Sequence, residues 1–221
     1  MKLLINALVK FIAGLLMVAL LLFLPAGTLA YPGGLLFLCL LFVPMFMMGV
    51  VMMICARDLL AKRLDVKEKQ GTQKGVVAVM GLIFLGGFIL SGLDFRFGWS
   101  KVPLPVVIVA SVLFLVGYAL YAEVMRENAY LSRTVKVEEG QTVISTGLYG
   151  VVRHPMYMAS VLMFLSLPLI LGSWYALILF AVYPILMVVR ISGEETLLTA
   201  ELKGYAEYKR KVKYRMIPFI W

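Results

Sequence analysis

Residues 156–189 read MYMASVLMFLSLPLILGSWYALILFAVYPILMVV, a run without one charged side chain. It is too long for a single span of about 20 apolar residues. Gly172-Ser173 divides it into two arms, Met156–Leu171 and Trp174–Val189. At about 1.5 Å per residue each arm reaches about 24 Å, a little less than the hydrocarbon core. The run therefore reads as a tight hairpin of two short membrane helices. Short arms are expected where helix ends surround a site cut into one membrane face.

The rest of the chain agrees with that reading. Of 221 residues, 62% are hydrophobic and only 15% charged, with mean hydropathy +0.97. Soluble domains lie far from these values. Upstream, apolar runs at 1–24, 33–56, 75–93 and 103–121 make four further spans, with Pro44 expected to kink the second. Thr28-Leu29-Ala30 resembles a signal-peptidase site, but an uncleaved first span is the reading adopted. The expected fold is an all-α integral membrane protein with about six transmembrane helices and a helical tail. It is one domain, with residues 1–122 as scaffold and 123–221 as the site-bearing part.

Charge orients the bundle. With loops 25–32, 94–102 and 172–173 outside, only Arg96 and Lys101 of 21 basic residues lie there. The positive-inside rule then puts both termini in the cytoplasm of what is expected to be a prokaryotic cell membrane. The net charge of +9 is accounted for by loop retention and anionic lipid, and no nucleic-acid partner is expected. Connection 57–74 carries six Lys/Arg against Asp58, Asp65 and Glu68. Cys39 and Cys55 both fall inside an apolar run and read as packing residues. A single histidine excludes a multi-histidine metal centre, and no metal is expected.

Three clusters could carry chemistry. Arg153-His154-Pro155, with Tyr157 one turn on, sits where a polar loop enters the hairpin; interfacial anchoring would also explain it. Glu194-Glu195 follow Arg190 at the end of the last span, where negative charge opposes the helix dipole. An exposed Arg190–Glu194 pair, worth about 0.3–0.5 kcal/mol, is the plain alternative. Tyr205, Tyr208 and Val212 share one face of a short helix after the Lys203-Gly204 stop, with Arg215 and Pro218 beyond. Residues 134–144 alternate around Glu139-Gly140 like a small hairpin. Dinucleotide fingerprints, P-loops, Gly-x-Ser-x-Gly and His-Glu-x-x-His are all missing.

Taken together, Gly147-Leu-Tyr149 leading to Arg153-His-Pro-Met-Tyr157, then Arg190 with Glu194-Glu195, then Gly204-Tyr205 through Tyr208, Val212, Arg215 and Pro218 resemble the isoprenylcysteine carboxyl methyltransferases and the related phospholipid N-methyltransferases. The likeness covers roughly residues 128–221. It implies S-adenosylmethionine as cofactor, with Tyr149, Arg153, His154, Pro155, Tyr157, Glu195, Tyr205, Tyr208 and Arg215 as cofactor-binding residues. Arg190 and Glu194 would be catalytic, Arg190 meeting an acceptor carboxylate, and either glutamate could take the cofactor's amine. The partner would be membrane lipid and a lipophilic or prenylated substrate. A carboxylate acceptor needs no general base, which favours carboxyl O-methylation. Phospholipid N-methylation, an NADPH-dependent sterol-type reductase and a non-enzymatic lipid-binding protein are the alternatives. Glu195→Gln is expected to weaken cofactor binding without unfolding the bundle.

Overall fold

The computed structural model describes residues 2–64, 71–128, 130–131, 137 and 140–221, with side chains from residue 74 in the second of these stretches. Nine helices occur among them: α1 Lys2–Ala26, α2 Pro32–Cys55, α3 Arg57–Leu64, α4 Gly71–Phe97, α5 Leu104–Glu127, α6 Pro155–Ile170, α7 Trp174–Phe180, α8 Tyr183–Glu201 and α9 Tyr205–Lys211. The described residues contain no strand. Of the alternating segment 134–144, residues 134–136, 138 and 139 lie outside the described residues, as do Asp65 and Glu68 of the charged connection. In hydrocarbon each backbone group must pair within its own segment, and these apolar runs meet that demand as helices. α2, α5 and α6 each carry proline in their first turn, where its missing N–H costs no hydrogen bond.

Five segments are long and apolar enough to cross a membrane: Lys2–Ala26, Pro32–Cys55, Lys74–Phe97, Leu104–Glu127 and Trp174–Glu201. α6, at 16 residues, is the shorter arm. The second arm is longer than the first and broken, which the sequence reading did not foresee. α7 ends at Phe180 and α8 restarts at Tyr183. Pro184 cannot donate to the carbonyl of Phe180, so the ladder has a gap at that turn. α2, by contrast, runs unbroken through Pro44.

The core is built from Leu22, Phe37, Phe114, Leu167 and Phe180, all buried. Phe84 meets Phe164 and Phe180 edge-on at 4.7 and 5.3 Å, the favoured aromatic geometry. Small residues set the closest helix approaches. A Cβ on Gly117 of α5 would lie 2.6 Å from Met163 Cγ of α6, and one on Gly92 of α4 only 2.5 Å from the Leu22 carbonyl of α1. Outward-facing Leu20, Leu24, Leu82 and Ile178 are exposed, as a lipid-facing surface requires. Cys39 and Cys55 are exposed too. They do not pack in the core as expected, because their positions on α2 turn away from the neighbouring helices.

α4 extends one turn beyond the expected span and carries Asp94 with it, 1% exposed. The carboxylate accepts from Ser100 N at 2.7 Å and from the hydroxyls of Ser100 and Ser173. Ser173 Oγ in turn accepts from Ala176 N, capping α7. Tyr31 donates to the Leu171 carbonyl beside this clasp. A buried charge is tolerable with that many donors, and it ties the α4–α5 loop to the hairpin turn. Asp94→Ala is expected to cost about 3 kcal/mol by stranding them. A lowered unfolding midpoint in detergent, with ligand binding at the opposite face retained, checks this.

Candidate functional site

The site begins at the end of α5. Glu127 accepts from Leu148 N at 3.1 Å and fixes the 3₁₀ turn Gly147–Gly150. Gly147, at φ 50°, has no room for a side chain: a Cβ would sit 1.4 Å from Glu127 Oε1. Asn128 Nδ2 donates to Tyr149 Oη at 2.9 Å, and Tyr208 Oη to the Tyr149 carbonyl at 2.7 Å. The loop then runs beside the tail, with Arg153 N donating to the Tyr214 carbonyl and His154 N to that of Arg215. Pro155 opens α6.

Glu195, 2% exposed, is surrounded by cations. Arg153 Nε donates to its Oε1 at 2.6 Å, and His154 Nε2 lies 3.3 Å from the same oxygen. Arg215 Nε and Lys209 Nζ approach Oε2 at 3.2 and 3.5 Å. Arg153 also donates to the carbonyls of Val212 and Lys213 at 2.6 and 2.8 Å. One guanidinium thus fastens α8, the 153–154 loop and the tail together.

Glu194 points elsewhere. Adjacent helical residues are about 100° apart, so only one of the pair can face a given side. Glu194 lines a cavity with Tyr149, Arg153, His154, Pro155, Tyr157, Arg190, Tyr205 and Tyr208. Tyr157 Oη donates to Glu194 Oε2 at 2.5 Å and accepts from Arg190 Nε at 3.0 Å. Tyr157 thus bridges Arg190 and Glu194. Nine of the eleven residues singled out from sequence share this cavity. Glu195 and Arg215 border a separate cleft on the other side of α8.

The opposite wall of the cavity was missed. Asn128, Leu131, Gln141 and Thr142 contribute to it; the alternation over 134–144 suggested a small hairpin at Gln141 and Thr142, not a cavity wall. Leu198 and Leu202 supply its apolar part.

Tyr205 is buried, and its hydroxyl has no hydrogen-bond partner among the described residues. Burial, and then the nearby carboxylates Glu195 and Glu194, push its phenol above the usual tyrosine range. Burial likewise raises Tyr149 and Tyr208. All three stay protonated as donors. The set suits a ligand that is cationic at one end and polar at the other: a carboxylate, an imidazole, tyrosine faces and a waiting hydroxyl. S-adenosylmethionine fits that description.

Fold and site define a multi-pass, all-α membrane protein with a polar cavity at the ends of its last helices. Residues 105–205, just under half of the chain, match the family model described as phospholipid methyltransferase. That stretch holds α5 to α8 and the first residue of α9, and with them most of the cavity wall. Isoprenylcysteine carboxyl methyltransferases fall in the same broad family. No curated protein matches the sequence.

Proposed function

We propose that the protein transfers the methyl group of S-adenosylmethionine to an acceptor on a lipophilic molecule, at the basic and, by the positive-inside rule, cytoplasmic face. The unpartnered Tyr205 hydroxyl, in a cavity walled by tyrosines and shared with Glu194, is the observation that carries this reading. The cofactor supplies a methyl group on a sulfonium centre; the chain supplies position and charge. Glu194 pairs with the cofactor's ammonium, and the tyrosine faces attract its sulfonium. Glu195 is a positioning residue, because its carboxylate is taken up by Arg153, His154, Arg215 and Lys209. Arg190, locked by Tyr157, draws an acceptor carboxylate into line, and alignment is most of what a displacement needs. A carboxylate attacks through its own lone pair and forms a methyl ester, with no proton to remove.

The engagement of Arg153 also favours this reading over the reductase. Its guanidinium is committed to Glu195 and two carbonyls. A dinucleotide's phosphate would have to draw it away.

The family match supports a second reading, N-methylation of an amine headgroup. Glu194 would then receive the proton the amine must lose. Methyl-labelled cofactor separates the two. Label on a prenylated cysteine that alkali releases as methanol marks the ester; alkali-stable label on phosphatidylethanolamine marks the amine.

Tyr205→Phe tests the pocket itself. Removing a buried hydroxyl without a partner leaves the unfolding midpoint unchanged or raised. Affinity for S-adenosylhomocysteine should nonetheless fall about three- to tenfold, by calorimetry, if that hydroxyl serves the ligand. Unchanged affinity would remove the observation on which the reading rests.

A further inference from the structure

The outward face of α8 changes character within two turns. Ile185, Val188 and Val189 are exposed and apolar; Ser192 and Thr196, next along the same face, are exposed hydroxyls. Beside these hydroxyls lies a shallow cleft closed by Lys209 of α9 and Arg215 of the tail. It shares no residue with the tyrosine cavity.

Charge around the cleft's one carboxylate does not balance. Three permanent cations, Arg153, Lys209 and Arg215, surround the single carboxylate of Glu195. Arg153 is enclosed at 5% side-chain exposure, whereas Lys209 and Arg215 are 39% and 33% exposed. The surplus therefore faces outward, above an apolar stripe. The hydroxyls have their own polarity: Ser192 donates to the Val188 carbonyl and Thr196 to that of Ser192, at 2.9 Å each. Their protons are used, so they offer lone pairs to a donor.

We propose that this cleft is a binding site for one anionic phospholipid of the leaflet on the basic side. Its phosphate sits between Lys209 and Arg215, its acyl chains lie along Ile185, Val188 and Val189, and headgroup hydroxyls donate to Ser192 and Thr196. Phosphatidylglycerol has all three features; phosphatidylcholine has no headgroup donor and no net charge. Such a lipid would brace the tail that closes the cavity, since Lys209 and Arg215 also hold Glu195. The site is separate from the cavity, and its test does not depend on methyl transfer.

Full-length protein in mixed nanodiscs, released into native mass spectrometry, reports retained lipid directly. Wild type should keep phosphatidylglycerol over phosphatidylcholine, and Lys209→Ala should reduce that preference about fivefold. Lys203→Ala, which removes the same charge from an exposed position between α8 and α9, should not. Thr196→Trp fills the cleft without changing charge and should also release the lipid, with circular dichroism confirming intact helices. Equal retention of the two lipids, or a Lys209→Ala variant indistinguishable from wild type or from Lys203→Ala, would overturn the proposal. So would displacement of phosphatidylglycerol by inorganic phosphate alone, which would make the cleft a site for free anions.

Discussion

Arg153→Ala is expected to cost about 3–5 kcal/mol and to free the tail, because it breaks a buried ion pair from one side. Its guanidinium donates to Glu195 Oε1 and to the carbonyls of Val212 and Lys213. Alanine leaves the carboxylate without its shortest contact and both carbonyls unpaired. The bundle of α1, α2, α4, α5 and α6 rests on aromatic and aliphatic packing in which Arg153 takes no part, so the loss concentrates in α9 and residues 212–216. Limited trypsin digestion should cut early within Lys209–Lys213 while the membrane helices persist. Arg153→Lys recovers little, since one ammonium cannot reproduce the planar fork. Glu195→Gln acts on the same network from the other side. It should lower cofactor affinity by loosening the tail over the cavity, with the bundle intact. An unchanged digestion pattern for Arg153→Ala would mean that the tail is held by other contacts.

Arg190→Ala should have the largest effect on turnover. The side chain is 7% exposed and its Nε donates to Tyr157, which donates to Glu194. Nothing else among the described cavity residues is both cationic and outside the Glu195 cluster. Loss of a charge aimed at the acceptor costs about 100-fold or more in kcat, by analogy with oxyanion donors. Affinity for S-adenosylhomocysteine should stay within a few fold, because Arg190 reaches Glu194 only through Tyr157, whose own bond to Glu194 remains. That split between kcat and cofactor binding assigns Arg190 to the acceptor. Equal loss of both would place it with the cofactor instead.

Much of this molecule was legible because a bilayer imposes a simple grammar. Apolar runs of spanning length became α1, α2, α4 and α5, and Gly172-Ser173 became the hairpin turn. The residues at the loop-to-helix junction, His154 to Tyr157, stood out by composition and order, and they share one cavity. Other features depend on contacts that no local pattern encodes. Glu194 and Glu195 are indistinguishable as letters, yet a rotation of about 100° sends one to the cavity and the other into an ion cluster. Asp94 read as a loop residue, because its partners Ser100 and Ser173 come from separate turns. The α7–α8 break follows from Pro184, but a proline in an apolar run equally suits an unbroken helix, as Pro44 shows. Tyr205 was visible as one face of α9; its unpartnered hydroxyl could be seen only in three dimensions.

The central claim is that the cavity accepts S-adenosylmethionine, and calorimetric titration of detergent-purified protein with S-adenosylhomocysteine and, separately, NADPH tests it most directly. Saturable binding of S-adenosylhomocysteine at micromolar affinity, one per chain, with no heat from NADPH, is the predicted result. Binding of NADPH alone, or of neither, would contradict it.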